Sequence, residues 1–227
     1  MTIASAHNVI VSDDIITNYA TGKLSPAKHI MVACHSEIVD SVAEQVAFQE
    51  DIAACVVADI EPLSLSPSFM ENVLTSLPLQ KSANENERHG AAKDVPVEDL
   101  TPKSLRHLLG HGLDDLNWKF LFPSLAVHDL LGERKKGGDR LYLLKVKSGG
   151  SIPAHSHDGE EWSLILKGSY SVGNQHYNRG DFHIEDETET HSPQVEGEED
   201  CICLLMTQGP LKMQGLFPKL MTPLVGL

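Results

Sequence analysis

The sequence predicts an α+β chain of two domains: a small N-terminal helical bundle and a C-terminal all-β part built as an antiparallel sandwich or barrel. Three observations predict it. Helix start and stop signals crowd the first 80 positions. A polar stretch without aromatics, "QKSANENERHGAAKDVPVE" (80–98), follows them and reads as a linker. Beyond it come short apolar or alternating runs bounded by Gly, Pro and Asn, which are strand signals. The expected boundaries are 1–80 for the helical domain, 81–98 for the linker and 99–227 for the β domain. A chain of 227 residues, 41% of them hydrophobic, can bury a core in each.

The helices are expected in this order. Ser12 can cap a first helix opening with Asp13 and Asp14, whose charges suit a helix N-terminus, and Gly22 can stop it. Ser25-Pro26 and Ser66-Pro67 each set a capping hydroxyl before a proline suited to the first helical position. Val39, Val42 and Val46 recur at helical spacing, as do Phe69, Val73 and Leu77 before Pro78. About four short helices are therefore expected in the first 80 residues. Together they present an apolar face too large for so small a domain to bury alone.

In the second part, "RLYLLKVKSGG", "WSLILKGSYSV" and "CICLLMTQG" read as strands. Residues 181–200 hold nine acids and neither Lys nor Arg, which suits a solvated loop or edge strand. Cys201 and Cys203 share a parity and are expected in the barrel core; His107 and His111 are expected at the surface, and Trp118 and Trp162 in the core. Four cysteines without a CxxC pair give no disulfide framework, consistent with a reduced cytoplasmic protein. No apolar run has membrane-spanning length, and "MTIASAHNVI" lacks the pattern of a signal peptide. The net charge of -14 argues against direct nucleic-acid binding and favours a basic protein partner.

The densest chemistry lies in "HSHDGEEW", 155–162. In a strand, alternate residues share a face, so His155 and His157 point the same way. Glu161 has the same parity. Two imidazoles and a carboxylate on one inner wall make a half-site for a divalent metal. His191, after a turn at 179–181 and the strand-like "FHI", is the leading fourth ligand. His176 and His183 are candidates to stand just behind the ligands. Glu160 should point outward.

Gly149, His155, His157, Glu161 and Gly168, separated by five, one, three and six residues, resemble the first motif of the cupins. The second motif is degenerate, with Asn178-Arg179-Gly180 where Pro-x-Gly is usual and with a late histidine. The resemblance implies a jelly-roll barrel, with the motif glycines at turns beside the site. The segment "VSDDIITNYATGKLSPAKHIMVACHSEIVDSV", together with "NWKFLFPSLAVHDL" and "DCICLLMT", is further similar to the ChrR-type anti-sigma factors. That resemblance covers residues 7 to about 60 and about 116 to 213. It implies a helical domain that grips an extracytoplasmic-function sigma factor, and a cupin that helps respond to oxidative signals such as singlet oxygen. It also implies one divalent metal, zinc first, on His155, His157, Glu161 and His191. The helical part departs from the family pattern. Val39 and Val42 occupy the usual cysteine positions, and Val cannot ligate zinc. His7, His29, Cys34 and His35 remain nearby, but the expectation is apolar packing in place of a helical-domain zinc. Residues 1–93 carry five bases and twelve acids, net -7, which complements a basic sigma surface. The alternative is a metal-dependent cupin enzyme, dioxygenase-like or isomerase-like, for which no general base stands outside the ligand set. Homo-oligomerisation is left open.

Overall fold

In the computed structural model, residues 11–77, 99–131, 138–188, 190–209 and 211–213 are described. The expected linker (81–98) and His7 fall outside them.

Local chemistry sets the helix ends. Helix α1 (Asp13–Ala20) follows extended Ser12, whose side chain makes no capping bond, and stops before Gly22 at φ 67°. Helix α2 (Pro26–Ile38) begins as expected: Ser25 Oγ accepts from Lys28 N at 3.4 Å and Pro26 holds the first turn. Val39 differs from the expectation. It is not on a helical face but is the extended joint, φ -121° and ψ 107°, between α2 and α3 (Asp40–Ala58). Val42 and Val46 are buried on α3 as expected. Helix α3 has 19 residues and is not short. The start expected at Ser66-Pro67 comes two residues late: α4 (Phe69–Ser76) has Ser68 at its cap position, and no side chain of α4 is buried. Beyond the gap, α5 (Lys103–Leu109) packs on α2 with Leu105 buried, and ends at Gly110, φ 77°. Glu37 of α2 accepts from Ser104 N (3.1 Å) and Ser104 Oγ (2.6 Å) at its first turn, where a carboxylate is favoured.

The β domain has eleven strands among the described residues: β1 (Lys119–Phe122), β2 (Leu125–Asp129), β3 (Arg140–Val146), β4 (His155–His157), β5 (Glu161–Lys167), β6 (Ser169–Val172), β7 (Gln175–Asn178), β8 (Phe182–Glu185), β9 (Gln194–Val195), β10 (Cys201–Thr207) and β11 (Leu211–Met213). A six-stranded sheet in the order β1-β2-β3-β10-β5-β8 faces two smaller sheets, β7-β6-β9 and β11-β4. Every pairing is antiparallel. The acidic 181–200 segment supplies β8 at the edge of the large sheet and the short β9.

The large sheet is covered on both faces, which explains its unbroken apolar runs. Tyr142, Leu144, Ile165, Cys201, Cys203 and Leu205 point into the barrel. Their alternates Leu141, Leu143, Trp162, Leu164, Phe182 and Leu204 point outward into a second cluster. The other half of that cluster comes from the helices: Ile16, Met31, Val32, Val42 and Leu105. Helices and sheet therefore share one core. Polar contacts rivet it. Lys28 Nζ lies 2.7 Å from Glu160 Oε2 and 4.6 Å from the Trp162 ring centre, and Trp162 Nε1 donates to the same oxygen at 3.1 Å. His35 stacks on Phe182 with ring centres 5.1 Å apart. Gly180 is required here: at φ 88°, a Cβ on it would stand 3.1 Å from Val39 Cγ2. Asn178-Arg179-Gly180 is thus the turn against which the α2–α3 joint closes.

Candidate metal centre

Glu160 and Glu161 begin the construction. They are consecutive at the mouth of β5, so the strand sends one carboxylate outward to Lys28 and the other into the barrel. Glu161 is buried there, and across from it β4 turns His155 and His157 inward, both buried, with Ser156 between them half-buried. His191 comes from the loop between β8 and β9. It is fixed to β4 by two backbone hydrogen bonds of 3.1 Å, exchanged with His155.

The barrel thus brings together all four residues singled out from the sequence. Ligand-capable atoms of His155, Glu161 and His191 lie within 4.8 Å of one another, and so do those of His157, Glu185 and His191. The His155 and His191 rings meet edge to face at 4.2 Å. Two of the imidazoles, His155 and His157, have Nδ1 engaged. His155 Nδ1 lies 2.9 Å from the Pro153 carbonyl and His157 Nδ1 lies 2.7 Å from the Gly159 carbonyl, so each donates there. That tautomer leaves Nε2 as the free lone pair. His157 Nε2 is buried with no hydrogen-bond partner, an orphan atom that an ion would satisfy. Three imidazoles and a carboxylate fit a divalent metal of the zinc, iron or manganese type.

The electrostatics set the protonation states that an ion would meet. Burial opposes charge on His191, but the Glu161 and Glu185 carboxylates beside it outweigh burial and raise its imidazolium to about 9. Burial likewise works against Glu161, yet the His191 contact and the other two imidazoles pull its carboxyl below the usual range. Burial depresses His155 and His183. The centre therefore holds its carboxylate ionised and His155 neutral, the states in which these groups ligate metal, whereas His191 is protonated by its two carboxylates and would give up that proton to an ion.

Glu185 belongs to this centre although sequence reasoning did not select it. The signal was present: in "FHIE", His183 and Glu185 share a parity and stand eight and six residues before His191. His183 is buried behind the cluster, in contact with the Tyr170 hydroxyl through Nε2. His176 is not behind the ligands; it is exposed on β7 and pairs with Glu196 at 3.0 Å. Cys201 and Cys203 face the barrel core as expected, with sulfurs 3.5 Å apart. His107 is exposed and His111 half-buried, Trp162 is buried, and Trp118 packs at the edge of the shared core.

The helical part assembles no comparable group among the described residues. His29 stacks on Tyr19 at 4.3 Å, Cys34 is buried with its thiol pushed up to about 12 by desolvation, and His35 is turned to the barrel. Val42 is fully buried and Val39 packs on the core, where the family pattern has cysteines.

Residues 110–212 match the model of the ChrR cupin-like domain. Over 214 residues the chain is 28% identical to the anti-sigma-E factor ChrR of Cereibacter sphaeroides, covering 94% of this chain and 95% of that protein. A chain in the crystal structure of Rhodobacter sphaeroides SigE in complex with the anti-sigma ChrR superposes with a TM-score of 0.69 at 26% identity, covering 87% of this chain and 97% of that one. The barrel is thus similar to the ChrR cupin-like domain, and along helices and barrel together the chain resembles the ChrR-type anti-sigma factors.

Proposed function

We infer that this chain is an anti-sigma factor that sequesters a sigma factor of the extracytoplasmic-function type. The observation that carries the reading is the apolar surface at the far end of the helical part. On the second half of α3, Phe48, Ile52, Val56 and Val57 are exposed, Val56 by 63%. The surface continues through Leu63, 89% exposed, and Leu65 into α4, where Phe69, Met70, Leu74 and Leu77 are also exposed. A row of this length in solvent marks a binding surface, and two helices presenting it suit a partner that is itself helical. Residues 48–77 hold five acids (Glu50, Asp51, Asp59, Glu61, Glu71) and no base, which selects a partner with a basic rim.

The relative matched along 94% of the chain is an anti-sigma factor, which favours regulation over the enzyme reading. In this reading the apolar surface covers the sigma factor's polymerase-binding face, in the cytoplasm and without direct contact to nucleic acid. No helix of the described residues is long and apolar enough to cross a membrane. The barrel acts as the sensory part, holding one divalent ion, zinc first, on His155, His157, Glu161 and His191, and the sigma factor is released on an oxidative signal of the singlet-oxygen kind.

The test uses the full chain with Val56→Asp and Leu74→Asp. Both sites are exposed, so folding should be preserved while sigma binding weakens by at least about 100-fold, since two central apolar contacts are worth roughly 2 kcal/mol each. Co-purification with the sigma factors of the source cell and transcription from their promoters read the result. Undiminished capture by the double variant, or failure of every sigma factor to bind the parent chain under reducing conditions, refutes the reading.

A further inference from the structure

The three imidazoles proposed as ligands are held in the same way with one exception. His155 and His157 turn Nδ1 to neutral backbone carbonyls, those of Pro153 and Gly159. His191 turns Nδ1 to a carboxylate: Glu185 Oε2 lies 2.7 Å away, while Nε2 faces Glu161 Oε1 at 3.5 Å. We propose that Glu185 is the outer carboxylate of the metal centre, a positioning residue that fixes the ring of His191 and delivers Nε2 to the ion beside Glu161. The proposal rests on the reading of His155, His157, Glu161 and His191 as metal ligands.

The geometry supports an outer rather than an inner place. Nδ1 of His191 and Oε2 of Glu185 are close but outside hydrogen-bonding angles, so both stand as buried atoms without a bond. The terminal torsion of a Glu is soft, and a small turn of the carboxylate completes the bond. Glu185 is itself held from behind. Its Oε1 lies 3.8 Å from His183 Nδ1, and His183 Nε2 contacts the Tyr170 hydroxyl. Tyr170 and His183 are both buried. The run Tyr170–His183–Glu185–His191 therefore lies inside the barrel and ends on a proposed ligand. His191 needs such a hold more than its companions do. His155 and His157 sit on a strand, whereas His191 comes from a loop tied to β4 by its backbone alone. A carboxylate behind a ligating imidazole fixes the tautomer and raises the basicity of the ligating nitrogen.

Zinc affinity of the full chain, measured by chelator competition, tests this with Glu185→Gln and Glu185→Ala. Both variants should bind one ion per chain. Affinity should fall roughly 10- to 100-fold in Glu185→Ala, with Glu185→Gln in between because it keeps an acceptor without the charge. Cobalt substituted for zinc should give the same visible absorption band in Glu185→Gln as in the parent, since no ligand is lost. Equal affinity in all three chains overturns the proposal. So does a cobalt band shifted by loss of a ligand, which would make Glu185 an inner ligand with His157 and His191. A parent chain that takes up no metal overturns the ligand reading and this inference with it.

Discussion

The barrel interior and the outer end of the helices invert each other. In the barrel, groups that prefer water are buried: His155, His157, Glu161, His183 and His191 all lie out of solvent. On α3, α4 and the segment between them, groups that avoid water are exposed: Phe48, Val56, Leu63, Met70 and Leu74. Both arrangements cost stability in the free chain. The barrel offsets much of its cost internally, because each of these five side chains has an oppositely charged neighbour or a hydrogen-bonding group beside it. The helical end offsets nothing within the described chain. One region thus meets its cost from within, and the other leaves apolar surface that a partner could cover.

Removing the imidazoles of β4 should have the largest effect. His155→Ala with His157→Ala takes away two of the four proposed ligands and should abolish stoichiometric metal by elemental analysis. Full metal content in that variant would place the ion elsewhere and remove the barrel's side of the comparison.

The next effect concerns the shared core. Phe182 is fully buried between His35 and Trp162. Phe182→Ala should lower unfolding free energy by about 3 to 5 kcal/mol, and helices and barrel should lose structure together in one urea transition. Leu74→Ala, on an exposed helix, should change it by no more than about 0.5 kcal/mol. Comparable losses at the two sites would mean that α4 is packed in solution.

The smallest effect is a pH dependence. Burial lowers His35 from 6.5 to about 4 in the folded chain. Between those values the unfolded chain binds a proton that the folded chain refuses, so stability falls as pH falls through the window from 6.5 to 4. The full loss approaches roughly 3 kcal/mol, complete only below pH 4. His35→Leu should lack this component. Comparing urea midpoints of the two chains at pH 7.5 and 4.5 isolates it from the barrel histidines.

Much of the architecture was legible because its causes are local. Ser25-Pro26 starts α2, Gly22 follows the end of α1, and the parity of His155, His157 and Glu161 places them on one wall. The rest depends on contacts distant in sequence. Val39 has helical spacing to Val42, yet it is a joint because the turn at Gly180 packs against it. The unbroken apolar runs of β3, β5 and β10 fit a strand covered on both faces, but what covers the outer face could not be read without the tertiary fold. Glu185 was missed for a related reason. Its parity with His183 was visible, but its closeness to His191 follows from how the β8–β9 loop returns to β4.

Strand β5 carries an obligation that follows from its two faces. Trp162, Leu164 and Leu166 serve the helices, while Glu161, Ser163 and Ile165 serve the barrel. Substitutions can be tolerated on one side without disturbing the other. A change in length cannot. One residue gained or lost after Glu161 would exchange the faces, sending an indole into the barrel and a hydroxyl against α2. Residues 161–167 are therefore fixed in count even where they are free in kind, and the barrel can lengthen only at its turns.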